Sequence, residues 1–242
     1  MIKFFRKIRQ NLLMENKTGK YLKYAIGEIV LVVIGILIAL SINNWNEGRK
    51  LRNQEFKILT EIRSNLETTL EIFESDTLFN LKTIQQFNKI KRYIIEDLPY
   101  NKELDSAFGY LQNWASPYPI LTAYKTLQLK GLDIISNENL RTDISDLYEY
   151  EYNVLSMDYD KSEWGIMQAV VYPFVSKHVR IFKENSKRRA KPNDFESLKE
   201  NDEFLNILEM IISNRESGLI NYRSIMKSIK KLIDNIDADI SS

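Results

Sequence analysis

The strongest hydrophobic pattern in the chain is an unbroken apolar run close to its start. Residues 29–40 are apolar at every position, counting one glycine, and as a helix they would span only ~18 Å. A bilayer core is ~30 Å thick, and a helix reaches ~31 Å when it extends from Tyr24 to Trp45. Tyr21, Tyr24 and Trp45 then lie where aromatic side chains anchor a span at the membrane interface. The pattern predicts one transmembrane helix over residues 24–43.

Beyond this run the apolar positions recur every three or four residues, the spacing of amphipathic helices. Residues 49–98 contain neither Gly nor Pro and predict one long helix, most readily interrupted by the polar stretch ESDT at residues 74–77. Pro99 ends this helix. Shorter helices follow, one of them capped by Asn137 or the serine before it. The alternating segment YEYEY, residues 148–152, is interpreted as helix because its neighbours are helical.

The C-terminal part predicts a loop and one more long helix. The polar, basic segment at residues 183–194 contains a proline and is expected to be a loop. The last helix covers residues 202–237 in a near-heptad pattern that Arg215 and Gly218 interrupt. Such a pattern requires a partner helix, and we expect antiparallel packing against the helix that follows the span. The fold class is therefore all-α, with a single N-terminal transmembrane helix that continues into a long-helix stalk or bundle. Residues 44–242 would form an extracytoplasmic helical domain.

The charges on the two sides of the span predict its orientation. More Lys and Arg residues precede the span than closely follow it, and such residues stay on the cytoplasmic side. Residues 1–23 are expected to be a basic cytoplasmic segment, with the C-terminal domain in the periplasm and the span in the inner membrane. Residues 1–13 fit either an amphipathic helix on the membrane surface or a flexible basic flank. A signal peptide cleaved near Ala39 and Ser41 is the alternative, but its apolar region would have only about 7–15 residues.

The N-terminal sequence resembles a known family. MIKFFRKIRQNLL, followed by YAIGEIVLVVIGILIAL and NNWNE, is similar to an uncharacterised family of flavobacterial single-pass membrane proteins, domain-of-unknown-function family 6090. The similarity is specific over about the first 50 residues, with a weaker match in YKTLQLKGLDIISNENLR, residues 124–141. The resemblance implies a membrane anchor with an extracytoplasmic helical region. It implies no activity and no catalytic residues.

Composition and charge narrow the chemistry that the chain can perform. The net charge is +1 over 242 residues, so the chain as a whole has no electrostatic preference for nucleic acid. Cysteine is absent, which excludes disulfides, thiolate metal sites and cysteine nucleophiles. The single histidine, His178, cannot by itself form a zinc site, because zinc takes three or four such ligands. We therefore expect no cofactor, no metal site and no enzymatic activity.

Two charged motifs resemble binding sites in composition. The carboxylates of MDYDKSE, residues 157–163, lack the glycine and the glutamate that a calcium loop requires, so we interpret them as a solvated face. The basic run SKRRAK, residues 186–191, could contact acidic lipid or polysaccharide. A solvated loop is the simpler interpretation of a short charge run.

Residues within the predicted span give the most specific functional hypotheses. Glu28 lies about one helical turn inside it, where a carboxylate can reach the headgroup layer, contact another helix or take part in ion coupling. Gly27, Gly35 and Ala39 are spaced so that they share one face with Leu31, and this small-residue pattern permits close approach of a second helix. We predict a membrane helix contact formed by Gly27, Glu28, Gly35 and Ala39.

Three functional hypotheses follow from these features. The first is a membrane-anchored helical scaffold or interaction protein of the cell envelope, whose partners are the lipid bilayer and either a second copy or another envelope protein. The second is an accessory or stator-like subunit of an ion-driven membrane complex in which Glu28 titrates, an analogy of layout alone. The third is a sensor that requires a partner for signalling, because residues 1–23 are too few for a signalling domain.

Overall fold

The computed structural model describes residues 18–241, which divide into two compact units: the first ends at Gln54 and the second begins at Glu55. Most of these residues are helical and one two-stranded sheet is present among them. The predicted all-α class, with a long apolar helix near the start of the chain, is therefore confirmed. The hypotheses about residues 1–13 lie outside the described residues.

Helix α1 covers Thr18–Ile95 without a break. The interruption expected at residues 74–77 is therefore wrong. The polar side chains of this stretch are accommodated by the protein interior: Asp76 accepts a hydrogen bond from the Tyr222 hydroxyl at 3.2 Å, and one turn later Asn80 is fully buried. Because the Asp76 carboxylate has a tertiary partner, it does not compete with the helical backbone bonds.

The end of α1 is fixed by a turn that satisfies the last carbonyl groups. Asp97 has a left-handed backbone with φ of 51°, and the Leu98 N–H donates to the Tyr93 carbonyl oxygen at 2.9 Å. This is the hydrogen bond of a Schellman motif, with Asp in place of the usual Gly. Pro99 follows directly and cannot continue the helix, so the predicted stop is confirmed to within a few residues.

The middle of the chain contains two short helices and one long composite helix. Helix α2 is Leu104–Phe108, α3 is Thr122–Lys130, and a 3-10 turn covers Leu132–Ile134. Helix α4 covers residues 138–178, and its N-terminus is capped by the Asn137 side chain, which accepts from the Leu140 N–H at 3.2 Å. The successive segments of α4 alternate between α-helical and π-helical winding: Glu138–Asp146, Leu147–Glu151 (π), Tyr152–Val154, Leu155–Asp160 (π), Lys161–Ile166, Met167–Val171 (π) and Tyr172–His178.

A β-hairpin stands where the sequence predicted a loop. Strand β1 is Val179–Glu184 and β2 is Lys187–Pro192, paired antiparallel. The two-residue turn consists of Asn185 and Ser186, with φ of 48° and 63°, the backbone of a type I′ turn that matches the twist of the strands. The loop prediction at residues 183–194 was wrong because Asn-Ser is a weak form of this turn signal. The basic composition of β2 also hid its strand character.

Two helices follow the hairpin. Helix α5 is Phe195–Lys199, capped by Asp194, and α6 is Asp202–Ile240, capped by Asn201. Within the second unit α6 packs antiparallel to α1. Arg63 near one end of this pair donates to Asp237 at 2.5 Å, whereas Lys91, further along α1, pairs with Glu209 near the start of α6. The predicted antiparallel packing of the last helix is therefore confirmed.

The core of the second unit consists of two apolar clusters. The first apolar cluster includes Leu59, Phe73 and Ile229, and the second includes Phe87 and Phe204. Each long helix carries polar or small residues near the change from one cluster to the other. We call these residues the polar layer: Asp76, Thr77 and Asn80 of α1, Glu163 of α4, and Arg215 and Gly218 of α6. The residues that interrupt the heptad pattern of α6 thus continue the helix and face the interior.

The substitution Gly218→Ala tests how tightly the helices meet at this layer. A Cβ atom at residue 218 would lie 2.4 Å from Cδ2 of the buried Tyr159 ring. We expect a loss of about 1–3 kcal/mol in unfolding free energy, since overpacking forces the ring or the helix to move. Thermal unfolding of the full chain in detergent, followed by circular dichroism, measures the change.

Gly165→Ala is the matched control. A Cβ at this exposed helical position meets no atom within 4 Å, so the same substitution should stabilise the chain by about 0.5–1 kcal/mol through helix propensity. Equal effects of the two substitutions would contradict the close contact at Gly218.

Candidate functional site

The predicted membrane contact residues all lie on α1 within the first unit. Gly27 and Gly35 are surrounded by open space, since a Cβ at either position would meet no atom within 4 Å. Ala39 is exposed and Glu28 is partly exposed. The structure therefore keeps this face of α1 accessible, and it brings no described residue of another element against the two glycines.

The apolar side chains around these residues are exposed as well. The large apolar residues from Ile26 to Ile42 are between 46% and 63% exposed, and the most apolar 18-residue window has a mean hydropathy of 2.8. An apolar surface of this extent needs a cover of lipid or protein. By length and composition the helix can cross a membrane.

Of the three predicted interface anchors, Trp45 has a described side chain. Its ring is 67% exposed, and the Arg49 guanidinium lies 5.2 Å from the ring centroid. An amphipathic ring next to a cation suits the boundary between hydrocarbon and headgroups. Tyr21 and Tyr24 belong to the same helix.

A second candidate site lies in the polar layer, where Arg215 of α6 pairs with Glu163 of α4. Both side chains are 0% exposed. The Arg215 Nε and Nη2 atoms donate to Glu163 Oε1 at 2.9 and 2.5 Å, and Nη2 also donates to the Asn113 carbonyl oxygen at 2.9 Å. Asn214 donates to the other Glu163 oxygen at 2.8 Å. The Phe87 ring centroid lies 5.1 Å from the guanidinium carbon.

This arrangement corrects the interpretation of MDYDKSE as a solvated face. Glu163 is fully buried, and Asp160 accepts hydrogen bonds from Trp114 Nε1 at 2.9 Å and from the Ser116 hydroxyl at 2.7 Å. The heptad pattern alone does not reveal the role of Arg215, because it shows this residue only as an interruption. The signal was a charged residue at a position where the pattern required an apolar one, which in a folded helix implies a buried partner.

The chemistry of the buried pair is structural. Both charged groups are buried and have polar partners from neighbouring segments, and the Phe87 ring lies over the guanidinium. The pair fixes the relative position of α4, α6 and the chain near Asn113.

Asp76 is a titratable group of the polar layer whose pKa is raised. Burial raises the pKa of Asp76 to about 6, and the hydrogen bond from Tyr222 opposes part of that rise. Tyr222 is fully buried and makes edge-to-face contacts with Phe73 and Tyr159, at centroid distances of 5.2 and 5.8 Å. The carboxylate therefore sits at the edge of an aromatic cluster that disfavours its charged form.

Metal and histidine chemistry finds no support in the described residues. Among residues 18–241 no group of three or more His, Asp or Glu side chains is placed to hold a metal ion. His178 stacks on Phe174 with ring centroids 4.5 Å apart, a packing arrangement at the end of α4.

The fold and these sites define a helical protein in which, among residues 18–241, one helix is long and apolar enough to cross a membrane and the second unit has its own packed core. Residues 28–199 match the model of a family of unknown function, DUF6090. The match covers more than half of the chain, and the protein belongs to this family. Flavobacterial origin and single-pass topology stay predictions. No curated protein and no solved structure matches the chain.

Removing one partner of the buried pair should cost more than removing both. Arg215→Met leaves the Glu163 carboxylate buried without its cation, and we expect a loss of about 3–5 kcal/mol in unfolding free energy. The double variant Arg215→Met, Glu163→Leu removes both charges and should lose clearly less. Urea unfolding of the two variants and of Glu163→Leu alone provides the double-mutant cycle. A double variant as unstable as the sum of the single ones would refute the coupling.

Asp76→Asn should stabilise the protein in a pH-dependent way. Because the folded-state pKa is about 6 against an ordinary value of 3.8, the folded chain holds a proton that the unfolded chain has lost, and stability falls as pH rises between these values. Above that pH window the substitution removes the free-energy cost of burying the charged carboxylate. This cost is about 1 kcal/mol after solvent screening of a half-exposed group. Melting temperatures at pH ~7.5 should therefore favour the variant and converge near pH ~4. A constant difference across this range would contradict the assignment.

Proposed function

We propose that the protein is a membrane-anchored helical scaffold or interaction protein of the cell envelope. In this proposal α1 crosses the inner membrane once, the basic residues before the span are cytoplasmic, and the second unit is periplasmic. The excess of Lys and Arg before the span supports the orientation. The buried, structural character of the charged residues in the polar layer fits a binding and positioning role.

The observation that carries the proposal is the contrast along α1. Apolar residues between Ile26 and Ile42 are exposed, whereas Leu59, Ile62 and Leu66 on the same helix are 0% exposed in the second unit. One part of the helix thus requires a cover that residues 18–241 do not supply, and the other part is fully used in a folded core. A lipid bilayer supplies the cover for the first part.

The contact face within the membrane is proposed to be Gly27, Glu28, Gly35 and Ala39. Gly27 and Gly35 have open space around them, so a neighbouring helix can approach the backbone closely. Small residues at such an interface allow van der Waals packing, which drives helix association in lipid. Glu28 would add a polar contact at the edge of this face, close to the headgroups. The partner helix belongs either to a second copy or to another envelope protein.

Single cysteines test both the topology and the contact face, because the chain has no native cysteine. Ser186→Cys, at the exposed hairpin turn, should react with a membrane-impermeant maleimide in cells whose outer membrane is permeabilised. Lys17→Cys should react only after the inner membrane is broken. Ala39→Cys should form oxidative cross-links in intact membranes, and Leu37→Cys, ~200° away around the helix, is the matched control.

The outcomes separate the parts of the proposal. Labelling of Lys17→Cys in intact cells would overturn the orientation, and recovery of the protein in the soluble fraction would overturn the anchor. Equal cross-linking at residues 37 and 39 would remove the specific contact face. Affinity purification from detergent-solubilised membranes that yields a lone monomer would overturn the interaction role.

A further inference from the structure

A cationic cavity lies between the hairpin and the helices that it packs on. We call it the hairpin cavity; its volume is about 380 Å³. Three elements contribute to it: α1, the region of α2 and the chain after it, and β2. Its lining residues are Lys82, Ser106, Gly109, Tyr110, Asn113, Lys187, Arg188 and Arg189.

The close approach of β2 to the end of α2 builds the cavity. A Cβ at Gly109 would lie 2.9 Å from the Arg188 carbonyl oxygen and 3.3 Å from the Arg189 Cα, so a larger residue would push the strand away. The neighbouring Ala190 is 1% exposed and belongs to the second apolar cluster. The Arg188 guanidinium also donates to the Gln112 side chain. The hairpin is thereby held in place, and the basic run is part of a shaped site.

The charges that line the cavity have one sign. Lys82, Lys187, Arg188 and Arg189 are cationic, and no carboxylate is among the lining residues. Arg189 forms an ion pair with Glu184, in which Glu184 Oε2 lies 3.6 Å from Arg189 Nε. This distance exceeds a hydrogen bond, and the buried Arg189 Nε has no hydrogen-bond acceptor within residues 18–241. A low-dielectric wall beside four cations concentrates a positive potential.

The remaining lining groups suit the recognition of an anion with attached polar or ring atoms. Ser106 and Asn113 add neutral hydrogen-bond donors, and Tyr110 adds a ring over which the Lys82 ammonium lies at 5.6 Å. The Asn113 carbonyl oxygen accepts from the buried Arg215, which fixes this wall to the polar layer. The volume exceeds that of one phosphate and is in the range of small-molecule sites.

We propose that the hairpin cavity binds a small ligand through a phosphate or diphosphate group. Guanidinium groups match phosphate oxygens with paired, charge-assisted hydrogen bonds, and two adjacent arginines with two lysines can neutralise a diphosphate. This site is independent of the proposed membrane contact, since its residues all belong to the second unit.

Calorimetric titration of the full chain in a neutral detergent with pyrophosphate tests the proposal, at an ionic strength of about 0.15 M so that diffuse surface charge is screened. Arg188→Gln, Arg189→Gln should weaken binding at least ~10-fold, because each arginine supplies charge-assisted hydrogen bonds. The matched control is Arg180→Gln, Lys191→Gln. These two exposed residues are register partners on the same hairpin and lie outside the cavity lining, so affinity should change less than ~3-fold.

Lys82→Gln provides a second test that leaves the hairpin sequence unchanged, and it should also weaken pyrophosphate binding. Thermal unfolding of each variant shows whether the fold is retained. Equal weakening by the cavity pair and the control pair would overturn the site, as would the absence of pyrophosphate binding at millimolar concentration. Vesicles containing anionic phospholipid distinguish the source of the phosphate: competition with pyrophosphate indicates a lipid headgroup, and its absence indicates a soluble ligand.

Discussion

The buried ion pair between Glu163 and Arg215 is the constraint on which the second unit depends. Taking two charges out of water costs several kcal/mol per ion, and their mutual attraction together with hydrogen bonds offsets this cost. The hydrogen-bond partners come from α4, α6 and the chain at Asn113, while Arg215 Nη1 has no hydrogen-bond partner among residues 18–241. The pair therefore favours the one arrangement of these three segments in which the charges meet. An apolar core alone would tolerate sliding of the long helices, whereas the pair fixes their register.

The polar layer also explains how other irregular features are placed. It separates two apolar clusters, and each long helix crosses it with residues that would weaken an isolated helix. Gly218 allows the Tyr159 ring to approach α6, and Asp76 is held by Tyr222. The hairpin cavity shares a wall with the layer through Asn113. A ligand phosphate in that cavity would thus lie next to a residue that is hydrogen-bonded to the buried Arg215.

The match to a family of unknown function includes residues of both units. The matched range begins at Glu28 and ends at Lys199, so it includes most of the apolar segment, the Glu163 side of the ion pair and the whole hairpin. Because neither catalytic nor metal chemistry carries the proposed role, binding surfaces are the features to examine, and the small-residue face of α1 and the hairpin cavity are the two candidates.

Much of this architecture was predictable from local pattern. The apolar run, the three-and-four spacing and the proline at residue 99 depend on hydrophobicity and backbone geometry, which act within a few turns of helix, and they correctly predicted α1, α6 and the all-α class. The sequence also located the basic run at residues 186–191 and the small-residue face of α1.

The tertiary structure decided which polar residues inside helical patterns would face the interior. From the local pattern, Asp76 falls in an expected helix break, Glu163 on an expected solvated face, and Arg215 at an interruption of the heptad. Their interior positions could not be predicted locally, because their partners lie 52 to 146 residues away along the chain. Such long-range pairing, like the strand pairing that converts a basic loop into a hairpin, is set by the global fold and leaves little trace in the neighbouring residues.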